Sequence, residues 1–267
     1  MPLKTILVTG STDGIGKQTA LELAQVGHKV IIHGRNLKKC EQTVIDIRSE
    51  VADANLDCVA ADFSALNQVR DLVQEVTRRF PELNVLINNA GVFSPTYQLS
   101  QDGIELTWAV NYLALVVLTE GLLPLLKKNA PARIINVSSV AHQRGRLDFQ
   151  NLVMGEENYH GYRAYGNSKL AVICYTNLLA NQLNVDEVTV NSLHPGVITT
   201  KMLKTGFNMT GDNLSVGAET PVYLATSPTV ERVTGAYFDT KQIVTSSKYT
   251  HDVDLQARLW QETLKMI

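Results

Sequence analysis

Short, nearly continuous apolar runs alternate with stretches of helical periodicity along most of this chain. Residues 4–9, 29–33, 57–60, 85–88, 134–138 and 189–193 read as strands. They are apolar at successive positions, as parallel strands buried on both faces are, and do not alternate like half-exposed antiparallel ones. A late run, 235–238, supplies a final strand. Between them, residues 15–26, 37–51, 66–80 and 104–128 carry apolar positions at helical spacing. The alternation predicts an α/β fold: a single doubly wound parallel sheet with helices on both faces and right-handed crossovers. Residues 199–216, with Gly206 and Gly211, are the least regular stretch. A loop of that length in a compact domain is often a lid or a substrate-binding loop.

Composition narrows the reading further. The chain has 267 residues, 45% of them apolar, which suits one domain spanning 1–267 with a sizeable core. A formal charge of −2 gives no footprint for a nucleic-acid partner. No apolar run reaches the roughly 18 residues of a membrane span. Residues 113–126 come closest, but Glu120, Gly121 and Pro124 interrupt them. The first strand begins by residue 4, which leaves no room for a leader peptide. Three cysteines at no metal-like spacing point to a reducing compartment, no metal and a cytoplasmic location.

The first strand turns into the first helix through Thr9-Gly10-Ser11-Thr12-Asp13-Gly14-Ile15-Gly16. Free N–H groups and the helix dipole at such a turn favour a pyrophosphate. Gly10 allows a tight turn, Gly14 lets a ligand approach the backbone, and Gly16 permits close helix–strand packing. The second strand is followed by Gly34-Arg35-Asn36, with no carboxylate to bind ribose hydroxyls. Arg35 can instead pair with a 2′-phosphate through its planar fork, so the expected cofactor is NADP(H) rather than NAD(H). Asp13 pulls the other way, since it repels phosphate.

Tyr165 is followed four residues later by Lys169, on one face of a helical stretch. A free phenol titrates near 10, and a neighbouring ammonium would lower that value toward neutrality. Tyr159, Tyr162 and Tyr175 have no lysine four residues on, which singles out Tyr165 as the acid/base. Ser138 and Ser139 close one strand and Asn88-Asn89-Ala90-Gly91 another, where ligands of open α/β sheets sit. A serine hydroxyl there could hold a carbonyl oxygen, and Asn88 could simply brace the sheet.

These residues resemble the short-chain dehydrogenase/reductase family, over nearly the whole chain. Thr9-Gly10-x3-Gly14-Ile15-Gly16, Asp62, Asn88-Asn89-Ala90-Gly91, Asn111, Ser139, Tyr165-x3-Lys169 and Pro195-Gly196-x3-Thr200 carry the resemblance. Within it, Asn136-Val-Ser-Ser-Val-Ala-His142, Gly145-Arg-Leu-Asp-Phe149 and Ala257-Arg-Leu-Trp260 are similar to the retinol dehydrogenase-like branch. The resemblance implies a Rossmann-type fold and a general acid/base, Tyr165, assisted by Lys169. Ser139 would polarise the carbonyl, and Asn111 would hold a relay water. The cofactor would lie against Gly10, Thr12, Gly14, Ile15 and Gly16. Arg35 and Asn36 would flank its phosphate, and Asp62 and Phe63 its adenine. Asn89, Ala90 and Gly91 would pack along it, and Pro195, Gly196, Val197 and Thr200 would meet the carboxamide.

The function expected is an NADP(H)-dependent oxidoreductase that interconverts a small apolar carbonyl, aldehyde or ketone, and its alcohol. The alternative is a catalytically silent NADP(H)-binding sensor or scaffold. A related epimerase or dehydratase would need a larger sugar-nucleotide region than the residues after 200 provide. Phe93, His142, Met202 and Phe207, with Ser139 and Tyr165, are the expected substrate neighbours, and Tyr97 also falls near them. Leu115, Val116, Leu118, Leu122, Val172, Leu178 and Leu179 exceed one core-facing stripe on their helices. That surplus, with the family's habit of pairing these helices, predicts a homodimer.

Overall fold

A single sheet organises the chain in the computed structural model, which describes residues 3–267. Its strands are β1 (Thr5–Val8), β2 (Lys29–Gly34), β3 (Leu56–Ala60), β4 (Val85–Asn88), β5 (Ala132–Val137), β6 (Val188–His194), β7 (Tyr237–Asp239) and β8 (Gln242–Ile243). Their order is β3-β2-β1-β4-β5-β6-β7-β8. All neighbours are parallel except β7 and β8, which form an antiparallel edge hairpin. The parallel, doubly wound reading therefore holds, with one edge strand added. Gln242 and Ile243 are exposed and too few to leave a period.

The connecting helices are α1 (Gly14–Gln25), α2 (Leu37–Glu50), α3 (Leu66–Arg79), α4 (Leu106–Trp108), α5 (Ala114–Lys128), α6 (Gly161–Gln182), α7 (Lys201–Phe207), α8 (Leu214–Thr226) and α9 (Val253–Leu264). One core lies between the sheet and α1, α2 and α8. The other lies beneath α3, α5 and α6, with Leu259 of α9 added to it. Strand side chains alternate between them: Ile6, Val8, Val30 and Ile32 face the first, Leu7 and Ile31 the second. β1 has β2 on one side and β4 on the other, so strand order reverses there. A crevice opens above that point, at the carboxyl ends of the strands.

A polar ladder crosses the second core. Asn88 donates to Thr119 Oγ1 and to Asn136 Oδ1, and Asn136 donates to Thr176 Oγ1, each at 2.9 Å. It ties β4 and β5 to α5 and α6, which is the bracing role open to Asn88. A π-helical turn, Ala109–Leu113, joins α4 to α5. The continuous stretch Leu106–Lys128 is long and apolar enough to cross a membrane by length and composition, and 78% of its most apolar window is buried in the fold.

Two expectations need correction. The irregular 199–216 stretch contains α7, capped by Thr200 and ended by Asn208 with φ +50°. The surplus apolar residues of α5 and α6 do not wait for a partner. Leu115, Val116, Leu118, Leu122, Val172 and Leu179 are buried within this chain, and Leu178 is half-buried. α9 supplies part of the cover on α6 and the π-helical turn. Trp260 stacks on Tyr175 with ring centroids 6.1 Å apart, and the Tyr112 and Thr263 hydroxyls are hydrogen-bonded at 2.7 Å. The argument for a homodimer from exposed apolar surface therefore falls away.

Candidate active site

The Gly-rich turn after β1 is shaped so that side chains cannot enter it. Gly10 has φ +63°, and a Cβ on it would stand 2.8 Å from Ala90 Cα. A Cβ on Gly16 would meet Gly10 O at 2.3 Å and Asn89 Nδ2 at 2.4 Å. Gly14 has φ +55°, with Thr200 directly over it. Neighbouring strands hold the loop in place. Asn89 Nδ2 donates to Thr9 O and Gly10 O, while Thr9 Oγ1 accepts from the Asn89 and Ala90 amides. His33 accepts the Gly10 amide on Nδ1 at 3.2 Å. Its buried Nε2 has no partner. Asp13 caps α1 by accepting the Gly14 amide at 2.7 Å. Thr12 and Ile15 are half-buried at the rim. Sequence reasoning missed Gly34, where a Cβ would press Thr12 Cγ2 at 2.6 Å.

Arg35 and Asn36 follow β2 at the crevice edge, both exposed. Asn36 Oδ1 caps α2 by accepting the Lys39 amide. Among the described residues, Arg35, Lys38 and Lys39 make no salt bridge, so this edge carries uncompensated positive charge. Asp62, just past β3, is half-buried and accepts the Ser64 amide at 2.9 Å. Phe63 follows it, with its ring buried against His33 at 4.5 Å between centroids. On the far side, Gly196 has φ +92° and Val197 is exposed, with Pro195 and Thr200 half-buried beside them.

The proton-handling side chains meet where β4, β5 and α6 converge. Ser138 turns inward and donates to Lys169 O at 2.8 Å. Ser139 stays half-buried and caps the 3-10 turn Val140–Arg144 by accepting the Ala141 amide. Lys169 Nζ donates to Val137 O at 2.9 Å and sits 5.6 Å from the Tyr165 ring centroid. Gly91 leaves room for it, since a Cβ there would be 3.5 Å from Nζ. Asn111 lies in the π-helical turn, donates to Val92 O and Ser168 Oγ, and accepts the Val92 amide. Its side chain is fully engaged, so a relay water would have to be held by its backbone.

The charge balance differs from expectation. Burial pushes the Tyr165 phenol up to about 12, with Ser139 acting in the opposite direction. Burial also lowers the Lys169 ammonium to about 8. Burial, and not the expected acidification by Lys169, sets the direction of the shift at Tyr165. Loss of solvent costs each charged form more than the neighbour restores.

Above Tyr165 lies an aromatic cluster. Phe93 packs against Phe207 at 4.4 Å between centroids, against Tyr162 at 5.1 Å and edge-on to Tyr165 at 5.9 Å. Phe207 also meets Tyr165 at 5.7 Å. The expected neighbours Phe93 and Phe207 are thus brought to the phenol. Tyr162 was missed, although its position three residues before Tyr165 puts it on the same helix face. Met202 is half-buried on α7, and Tyr97 packs on Tyr159 instead. His142 needs correction: it is fully buried, and both ring nitrogens are engaged by Ser139 O and the Ser247 amide. It is not a substrate neighbour.

Comparison with known proteins agrees with this architecture. The short chain dehydrogenase family model matches residues 4–210. Retinol dehydrogenase 13 of Mus musculus is 37% identical, the match covering 100% of this chain and 84% of that protein. The chloroplastic short-chain dehydrogenase TIC 32 B of Brassica napus is 34% identical over 98% of this chain and 88% of its own. Among solved structures, one from Mycobacterium paratuberculosis superposes with a TM-score of 0.82 at 27% identity, covering 98% of this chain and 92% of that one. A short-chain dehydrogenase from Shigella flexneri complexed with NADP gives 0.74 at 25% identity, over 90% and 97%. With a glycine cradle, a Ser–Tyr–Lys cluster and an eight-stranded sheet in one crevice, the chain belongs to the short-chain dehydrogenase/reductase family, in its retinol dehydrogenase-like branch.

Proposed function

We propose that this protein is an NADP(H)-dependent oxidoreductase that interconverts an apolar aldehyde or ketone and its alcohol. The observation that carries this reading is the convergence of Ser139, Tyr165 and Lys169 beside a cradle that a Cβ at Gly10 or Gly16 would fill. That cradle and the unpaired Arg35 fit a dinucleotide with a 2′-phosphate. When bound, the nicotinamide supplies or accepts the hydride.

The chain's own residues handle the proton and the oxygen. In the reducing direction Tyr165 gives its phenolic proton to the carbonyl oxygen, and Ser139 Oγ donates a hydrogen bond to the same atom. Neutral Tyr165 is the form needed, and burial maintains it. Two such donors offset developing negative charge, typically by roughly 3–4 kcal/mol for a well-placed group. Lys169, fixed by Val137 O, directs its remaining N–H bonds toward the space beside Gly91. The relay water of Asn111 would rest on its backbone. Phe93, Phe207 and Tyr162 present an apolar wall to the substrate, which favours an apolar carbonyl over a charged sugar.

Tyr165→Phe tests the reading. It keeps cofactor binding, followed by quenching of protein fluorescence with NADPH, and loses turnover of apolar aldehydes by roughly 10²–10⁴-fold. Unchanged turnover would sink the assignment. A parent protein that binds NADPH but turns over none of a panel of aldehydes and ketones would favour the silent sensor instead.

A further inference from the structure

His142 lies in the motif Ser138-Ser139-Val140-Ala141-His142, yet the substrate site does not use it. It is fully buried, edge-on to Tyr237 with ring centroids 4.7 Å apart. Its Nδ1 is 2.7 Å from Ser139 O, and the Ser247 amide points at Nε2 from 3.1 Å. A backbone N–H can only donate, so Nε2 must be unprotonated. Nδ1 therefore carries the hydrogen and donates it to the Ser139 carbonyl. One tautomer, and only the neutral ring, satisfies both bonds. The Ser139 carbonyl thus receives two donors, because the His142 amide also reaches it at 3.1 Å.

Ser247 opens a tightly bonded segment. Thr250 Oγ1 donates to Ser247 O, and the Ser246 and Thr250 hydroxyls are bonded at 2.6 Å. That segment leads into α9, the helix that covers α6. We propose that His142 is a positioning residue: its imidazole clamps the backbone of Ser139 and ties it to the 246–251 segment beneath α9. The inference rests on the reading of Ser139 as the carbonyl-polarising group. It adds that the hydroxyl's placement is set from the C-terminal part of the chain. A shift of the turn by a fraction of an ångström would misplace Ser139 Oγ against the substrate oxygen while leaving the cofactor cradle untouched.

Two substitutions separate the bonds. His142→Asn keeps an amide N–H near the Nδ1 position and gives up the Ser247 contact. His142→Gln places an acceptor near Nε2 and gives up the bond to Ser139. With NADPH and decanal as probes, His142→Gln is expected to lose roughly 10–100-fold in kcat with KM for NADPH unchanged. His142→Asn is expected to keep kcat within about threefold but to melt roughly 2–4 °C lower. Nitrogen-15 spectra of the histidine-labelled parent give a readout independent of turnover and of variant folding: His142 should appear as the neutral Nδ1–H form at pH 7. Detection of Nε2–H or of the imidazolium, or full kcat in His142→Gln, overturns the proposal. Ser139→Ala is the control. If it turns over decanal like the parent, the reading of Ser139 fails; if it is impaired while His142→Gln is not, only the positioning role fails.

Discussion

At the residue scale, this protein depends on groups placed where solvent cannot reach them. Gly16 is required because Gly10 O and Asn89 Nδ2 fill the space a methyl would need. Arg35 is the opposite case, an exposed cation with no acid beside it among the described residues. Arg35→Ala should weaken NADPH binding by roughly 1.5–3 kcal/mol and leave NADH binding nearly unchanged. Titrating both cofactors by fluorescence checks this, and equal losses would detach Arg35 from the 2′-phosphate. His33 makes a pH prediction. Burial lowers its pKa from 6.5 to about 4. As pH falls from 6.5 to 4, the unfolded chain takes up a proton that the folded one refuses. Stability therefore declines through that window, by on the order of 3 kcal/mol, and levels off below it. His33→Asn retains an acceptor for the Gly10 amide and should flatten that acid limb in urea melts at successive pH values.

At the scale of elements, α6 and α7 set the reaction space between them. α6 brings Tyr162, Tyr165 and Lys169 to one face, and its buried side joins the Asn88–Asn136–Thr176 ladder. α7 lays Phe207 across Phe93, Tyr162 and Tyr165. Aromatic pairs contribute roughly 0.5–1.5 kcal/mol each beyond their burial. Phe207→Ala should raise KM for an apolar aldehyde about tenfold, through loss of wall contacts, while changing kcat less. A fall in kcat at constant KM would instead place Phe207 in the proton-transfer step. The short helix was hard to read because it has no buried residue and one amphipathic turn is too little to leave a period.

At the scale of the molecule, α9 closes the core beside α6. Leu259 is buried in the core beneath α5 and α6, although α9 is far from both in sequence. Leu259→Ala should cost about 2–5 kcal/mol. It should also loosen α9 enough to expose the apolar face and promote self-association. Sedimentation velocity over a concentration series checks this: the parent is expected to run as a monomer and the variant to associate. A parent already dimeric through α5 and α6 would contradict the covering role of α9.

The local pattern of the chain determined the first seven strands, most of the helices before residue 183, the cradle and the Tyr–Lys pair, but not β8, α8 or α9. Buried parallel strands, tight glycine turns and residues four apart on a helix are short-range properties. The placement of Ser139 and of Asn89 to Gly91 just past strand ends was also legible, because ligands of such sheets gather there. The tertiary structure decided the rest. It turned His142 inward to a segment more than a hundred residues away, since its ring nitrogens find complementary partners there. It folded α9 against α6 and the π-helical turn, and buried the rest of the apolar surplus within the chain. It also reversed the expected order of effects on Tyr165, because desolvation depends on everything packed around a group and not on the single residue four places along the helix.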